Sequence, residues 1–364
     1  MATMRMAREG AVHVTVGVDT HKDAHVARAK DQLGRRLGEK IVPTTPNGYR
    51  ALLGWAKSHG EVATFGVEVT GSYCAGLARY LRSEGQVVIE VIRPNRQARR
   101  RHGKSDPADA DAAASAVLAG DATGQPKAAD ATVEMIRALL VARQTAIKAR
   151  TQASNAMKAL VVTAPDDLRE CLRELSTIAL VRTCARLRPG KLVDPTTATK
   201  VAMRSLALRH EALETEAKVL EAQLTRLATG VAPELLAVFG LGTYSAGALL
   251  VAAGDNPRRL RSEAAFAMLC GASPVEASSG KVTRHRLNRG GDREANCALY
   301  HIVMVRLRWH QPTKDYMARR TTEGKSKREI RCLKRYVARE VYAVLRSMQM
   351  SDVATAGQAP GEVA

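Results

Sequence analysis

The chain has 364 residues, with 56 Lys+Arg against 36 Asp+Glu and a formal net charge of +20 at pH 7. That length supports two or three domains with real cores, and 45% hydrophobic with 25% charged residues excludes a wholly disordered chain. The absence of any apolar run of about 18 residues excludes a membrane helix; the expectation is also no secretory leader and, from six cysteines without a CxxC pair, a reducing cytoplasm and neither a disulfide framework nor a zinc ribbon. The charge excess predicts a polyanionic partner, and the 4% aromatic content favours backbone-phosphate contact over rows of stacking platforms.

In chain order, residues 1–11 read as a loose leader. Val12, Val14, Val16 and Val18 alternate with His13, Thr15 and Gly17, predicting a half-buried strand that ends at Asp19. A polar turn, Thr20 to Asp23, leads to strands over Ala24–Ala29 and Gly38–Val42 of a meander. Residues 47–58 read as a helix, Ala63–Val69 as a strand with Glu68 at its end, Leu77–Leu81 as part of a helix, and Val87–Ile92 as a strand. The order is β-β-β-α-β-α-β. A basic stretch with Arg96, Arg99, Arg100, Arg101 and Lys104 follows, and Ser105-Asp106-Pro107 opens an Ala-rich helix with a polar cap, an early proline and acids in the first turn.

From about 126 to 230 the pattern is helical. Ile136, Leu140, Ile147, Met157 and Leu160 make a rough stripe flanked by Arg137, Arg143, Lys148, Arg150 and Lys158, and Pro165 ends it. Leu206, Leu213, Leu220 and Leu227 then recur every seven residues, with Leu224 on the adjoining seam; the stripe suits either a helix packed within its own domain or a coiled-coil contact between two chains. Val238 to Thr243, with Gly240 and Gly242, reads as a hairpin between two helices whose amides could face a phosphate. A turn-rich stretch from Ser273 to Asp292 precedes a basic helical region over about 293–348, and 351–364 reads as a disordered tail.

Four acids stand where chemistry could use them. Asp19 and Glu68 end two strands, and Asp106 and Asp109 share one face of a helix. If the two strands are neighbours, their ends lie within about 5 Å, and the four carboxylates would suit two Mg²⁺ about 3.5–4 Å apart. Taken singly, each acid reads more readily as a solvated turn or helix-capping residue; it is their shared order along the chain that points to a site. His21 and His25 with Asp23 have metal-ligand spacing, but the reading preferred here is that they decorate a hairpin. Gly103-Lys104-Ser105 resembles the end of a P-loop without its leading glycine or strand, since position 98 is Ala. Ala277-Ser278-Ser279-Gly280 reads as a flexible loop beside Lys281, Arg284, His285, Arg286 and Arg289, which could seek phosphate; no base sits next to its serines in the sequence.

Val16-Gly17-Val18-Asp19-Thr20-His21-Lys22-Asp23, Val67-Glu68-Val69-Thr70-Gly71-Ser72-Tyr73 and Gly103-Lys104-Ser105-Asp106-Pro107-Ala108-Asp109-Ala110 resemble the amino half of IS110-family transposases. Gly240-Leu241-Gly242, Ala272-Ser273-Pro274, Ser278-Ser279-Gly280 and Arg289-Gly290-Gly291-Asp292 resemble their carboxyl domain, and the ordered set spans about residues 12–348. Val69 is a local departure, standing where relatives often carry a smaller residue.

The resemblance implies an α/β plus α chain: an RNase H-like (RuvC-like) domain over 12–125, a helical coiled-coil middle over 126–230, and a mostly α-helical transposase domain over 231–350. It implies that Asp19, Glu68, Asp106 and Asp109 form an acidic tetrad that binds Mg²⁺, with Asp111 outside it, and that Ser279, or else Ser278, attacks DNA to give a covalent phosphoserine. It implies donor and target DNA and a structured guide RNA as partners, and sites composed from different subunits of a dimer, or of a tetramer on DNA. It places the protein in a bacterial cytoplasm, at the nucleoid. Nucleic-acid backbone is expected at Arg96, Arg99, Arg100, Arg101, Lys104, Arg143, Lys148, Arg150, Lys281, Arg284, Arg286 and Arg289. Two rivals make different predictions. A metal-dependent nuclease of the Holliday-junction kind would use water and cut without Ser279, and a non-catalytic nucleic-acid-binding protein would bind but never cut.

Overall fold

The computed structural model describes residues 12–68, 73–91, 105–128, 131–256, 259–326 and 330–356. The chain divides into two compact units: residues 1–131 with 253–261, and residues 132–252 with 262–364. Among the described residues no helix is long and apolar enough to cross a membrane.

The first unit is built on a five-stranded mixed sheet. Strands β1 (His13–Thr20), β2 (Ala24–Lys30) and β3 (Arg36–Pro43) form the expected antiparallel meander, while β4 (Glu61–Glu68) and β5 (Val88–Val91) add parallel on the other side, giving the order β3-β2-β1-β4-β5. Helices α1 (Pro46–Ser58) and α2 (Ala75–Ser83) make the crossovers that parallel pairing requires. Thr45 caps α1 by accepting the Gly48 N–H, with Pro46 at the first turn. Val14, Val16 and Val18 pack fully buried with Leu52, Phe65, Leu77 and Leu81, and each such large side chain contributes about 1.5–3 kcal/mol.

The alternation in β1 predicts one solvated face, but Thr15 is buried as well. The reason is α3 (Asp106–Leu118), the Ala-rich helix, which covers the sheet's other face. It comes so close because Gly17 and Gly66 lie side by side on β1 and β4. A Cβ on Gly17 would lie 1.9 Å from the Ala110 carbonyl oxygen, and one on Gly66 would lie 2.6 Å from Val117 Cγ2.

Among the described residues the second unit is helical apart from one hairpin. Two long helices, α4 (Thr132–Val162) and α7 (Pro195–Val231), pack along each other. Arg143 pairs with Glu221 and Arg150 with Glu214, so a seven-residue step forward on one helix meets a seven-residue step back on the other, and the two run antiparallel. The buried seam of α7 is Met203, Ala207, Ala217, Leu224 and Ala228; the strict heptad Leu206, Leu213, Leu220 and Leu227 flanks it, half-buried. Short helices α5 (Asp166–Leu172) and α6 (Thr177–Ala185) close one end over Met157, Leu168, Leu172, Leu180 and Met203.

Beyond α8 (Pro233–Leu236) come α9 (Thr243–Ala253), α10 (Glu263–Leu269), α11 (Arg293–Trp309), α12 (Gln311–Thr322) and α13 (Ile330–Ala356). The basic region expected as one helical stretch is therefore three helices, and the last continues past Ser351 to Ala356. Arg306 locks the turn before α9: its Nε donates to the Phe239 carbonyl at 2.9 Å, while its other nitrogens fork onto Glu340 at 2.7 and 3.0 Å. The turn-rich segment from Ser273 contains a two-stranded hairpin, β6 (Val275–Glu276) and β7 (His285–Arg286), rather than an irregular loop.

Candidate active site

The end of β1 carries Asp19, and parallel pairing of Val18 with Val67 puts Glu68 beside it on β4. The same end receives the first turn of α3, which brings Asp106 and Asp109 from far along the chain. Ser105 occupies the N-cap position, yet its hydroxyl makes no capping bond there. The glycine floor beneath α3 is what lets this turn sit at the strand ends.

His21 completes the arrangement. The turn between β1 and β2, closed by the His21 N–H donating to the Ala24 carbonyl at 3.2 Å, folds the imidazole back over the strand end. Its Nε2 lies 3.2 Å from Asp19 Oδ2 and 3.2 Å from Asp106 Oδ2, and the three donor atoms all lie within 4.8 Å of one another. This corrects the hairpin-decoration reading for His21. His25 does not decorate the hairpin either: it lies on β2, fully buried and stacked on Tyr49 with ring centroids 5.8 Å apart.

Asp19 and Asp109 are buried, while Asp106 and His21 are half open to solvent. Burial raises the Asp19 pKa above its ordinary value, His21 opposes that rise, and the Asp109 and Asp106 carboxylates add to it. Glu68 is half-buried, and its carbonyl accepts the Thr20 hydroxyl at 3.3 Å; its carboxylate is outside the three-residue group. Asp111 is held elsewhere, by Lys30 Nζ at 2.9 Å and Arg36 Nε at 2.8 Å.

The donor chemistry fits a divalent cation. Carboxylate oxygens are hard ligands suited to Mg²⁺, Mn²⁺ or Ca²⁺, and an imidazole nitrogen adds a softer donor. An added positive charge would relieve the burial and the neighbouring carboxylates that raise the Asp19 pKa.

The serine segment belongs to the second unit. Ser279 and Val282 exchange backbone hydrogen bonds at 3.1 Å each, leaving Gly280 and Lys281 as the hairpin tip, and Gly280 supplies the φ of +57° that the turn needs. The Ser278 hydroxyl accepts the Arg284 N–H at 3.1 Å and so braces the hairpin. Ser279 is exposed, and its hydroxyl makes no hydrogen bond among the described residues.

The expected backbone-binding cations divide three ways. Arg96, Arg99, Arg100, Arg101 and Lys104 lie outside the described residues. Arg143 and Arg150 are engaged with Glu221 and Glu214, and Arg143 also lies over the Tyr244 ring at 5.4 Å, so these two build the helix pair rather than present charge. Lys148 is exposed on α4, and Lys281, Arg284, Arg286 and Arg289 are exposed around the hairpin.

Comparison with known proteins bears on both segments. A transposase model of the IS110 DEDD type matches residues 16–164, and a model described as transposase IS116/IS110/IS902 family matches residues 232–318. No curated protein matches the chain. The first match encloses the whole acidic cluster and the second encloses the serine hairpin; together they span about two thirds of the chain, which therefore belongs to the IS110 family of transposases, enzymes that bind DNA and cut and rejoin its strands.

Proposed function

We propose that the chain is a Mg²⁺-dependent, RNA-guided site-specific recombinase that mobilises an insertion sequence, exchanging DNA strands through a covalent phosphoserine at Ser279. The observation that carries this reading is the meeting of Asp19, His21 and Asp106 at one strand end, with Glu68 and Asp109 beside them, in a family member whose Ser279 is exposed next to a hairpin tip. The strand order β3-β2-β1-β4-β5 supports an RNase H-like domain over 12–125. The antiparallel α4–α7 pair supports a coiled-coil middle over 126–230, ahead of the transposase domain over 231–350.

Asp19, Glu68, Asp106 and Asp109 would hold two Mg²⁺, which when bound supply activation of a hydroxyl and relief of charge on the phosphate. The chain's own groups do the rest. Ser279 Oγ bonds to phosphorus as a bridging P–O bond breaks; its proton passes to a carboxylate, Glu68 or Asp109, and the departing oxygen takes up a proton as a free hydroxyl. A hydroxyl of the incoming strand then attacks the same phosphorus, the P–Oγ bond breaks and the serine regains its proton. One phosphodiester is exchanged for another, so no nucleotide cofactor is consumed.

The partners in this reading are donor and target DNA, a structured guide RNA, and further copies of the chain in a dimer that becomes a tetramer on DNA. The setting is the bacterial cytoplasm, at the nucleoid.

The test is excision of the intact element with its flanking DNA in cells, scored by PCR of the new junction for wild type, Ser279→Ala and Asp106→Ala. Junctions from wild type alone are expected. Junctions from Ser279→Ala would refute the phosphoserine step, and strand cutting without joining by that variant would favour a water-using nuclease. Binding without any cutting by wild type in Mg²⁺ would leave only a nucleic-acid-binding protein.

A further inference from the structure

The second unit contains a cleft of about 1100 Å³. One wall is the strand of the serine hairpin that returns from Ser279, carrying Arg286 and then Arg289; the floor is the loop Gly271 to Pro274 after α10. Arg293 at the start of α11 and Lys334, Arg335 and Arg339 on α13 also line it. Six cationic side chains thus line one cavity, and no carboxylate lines it among the described residues. Glu263 pairs with Arg335 and, at 3.5 Å, with Arg339, offsetting one charge of the six. Burial, with Arg339 close by, lowers the Arg335 pKa, as happens when cations crowd without a full set of anions. Arg286, Arg289 and Arg293 have no acidic partner among the described residues.

Size and chemistry narrow the occupant. The volume slightly exceeds the about 300–1,000 Å³ typical of small-molecule sites, and although much of the lined surface is carbon, every full charge on it is positive. A segment of a polyanion suits it better than a compact ligand. The cleft also holds Tyr336, half exposed, whose ring meets Tyr316 edge-on with centroids 5.8 Å apart, while Arg319 lies 5.6 Å from the Tyr316 ring. An aromatic ring supported from behind and open within a basic cleft is a stacking partner for a base. Base pairs inside a duplex present no free face, so an unpaired strand is the matching ligand. Aromatic residues are only 4% of the chain, which argues against a row of such platforms but not against one.

We infer that this cleft binds an unpaired segment of nucleic-acid strand beside the Ser279 hairpin, with phosphates on the arginines and lysine and one base stacked on Tyr336. The strand's use in exchange rests on the recombinase reading; its binding does not.

The test is fluorescence anisotropy of the full chain in EDTA, where cutting is silenced, with a short labelled oligothymidine, the matching oligouridine, and a duplex. Tyr336→Ala is expected to weaken single-strand binding about 5- to 100-fold with an unchanged salt slope, Tyr336→Phe to restore it, and duplex binding to stay constant. Arg286→Ala and Arg339→Ala should each reduce the log–log salt slope by about 0.7. The oligothymidine and oligouridine arms tell a DNA strand from the guide RNA as the occupant. In the unaltered chain, photocrosslinking of an iodouracil-bearing strand should map to Tyr336, a readout that needs no variant. Equal losses for duplex and single strand, no loss with either, a crosslink mapping elsewhere, or displacement by polyglutamate at the same charge concentration would overturn the inference. If these hold while no phosphoserine forms, the recombinase chemistry fails and the cleft stands; if strand exchange is intact while stacking fails, only the cleft assignment is lost.

Discussion

Gly17→Ala should damage the active site from beneath. The new Cβ would lie 1.9 Å from the Ala110 carbonyl oxygen and 2.4 Å from the Ala114 nitrogen, both backbone atoms of α3 that no rotamer change can move. Restoring ordinary contact requires the helix to retreat by about 1.5 Å. Asp106 and Asp109 ride on its first turn, so the 3.2 Å approach of Asp106 to His21 opens to beyond 4 Å by this estimate, out of range for a shared ligand. Overpacking of this kind costs about 1–3 kcal/mol, or about 3–10 °C in melting temperature for a unit of this size, and a misplacement of about 1 Å costs about 100-fold in rate. Gly66→Ala should be milder, since its 2.6 Å neighbour is the end of the Val117 side chain. Gly54→Ala, on α1 with nothing within 4 Å, should be neutral or slightly stabilising. Calorimetric melting with a strand-cleavage assay orders the three. Wild-type melting and cleavage in Gly17→Ala would refute the claim that this glycine sets the helix height.

Asp111→Asn should destabilise the fold at neutral pH without touching the active site. Burial alone would raise the Asp111 carboxyl, but hydrogen bonds from Arg36 and Lys30 outweigh it and hold its pKa below the ordinary value. The stabilisation is therefore present above the unfolded-state pKa of about 3.9 and fades as the pH falls through the folded value. Urea unfolding should show a loss of about 2–3 kcal/mol at pH 7 that shrinks below about pH 4, with Lys30 left buried without its counter-charge at the higher pH; a difference independent of pH would contradict it. His21→Ala should weaken Mn²⁺ binding, followed by its spin resonance, by about tenfold or more; tighter binding would show that the imidazole competes with the ion instead of holding it. Arg306→Lys should lose the fork onto Glu340 and the bond to Phe239 and cost about 2–4 kcal/mol in urea unfolding, since Lys offers neither geometry; stability within 0.5 kcal/mol of wild type, the usual scatter of about that size for surface changes, would contradict it.

Alternation and turn residues made the meander and its strand-end acids legible, because period-two burial and strand-terminal carboxylates are local features. What was illegible depended on partners distant in sequence. Gly17 looks like a gap in an alternating strand until α3, almost a hundred residues later, is placed on it. His21 looked decorative because its partners arrive from its own turn and from Asp106 together. Arg143 and Arg150 read as phosphate-seeking because Glu221 and Glu214 lie some 70 residues away, on a helix whose antiparallel course no local pattern encodes. The same neighbour explains why the regular leucines flank the α7 seam: α4 selects Met203, Ala207, Leu224 and the small residues between them, so that two helices of this length can approach closely. The serine hairpin looks like a loop in the sequence because two-residue strands leave too short an alternation to show.

The most direct test of the central claim is chemical. Wild-type chain, with Mg²⁺ and guide RNA, is incubated with a DNA substrate nicked near the exchange point so that the released strand diffuses away and the adduct persists. The denatured protein is then digested and the nucleotide-bearing peptide is sequenced by mass spectrometry. The account predicts a phosphodiester on Ser279, absent from Ser279→Ala and from Asp19→Asn. Cleaved DNA with no protein attached, or an adduct carried by Ser278 or another residue, would contradict it.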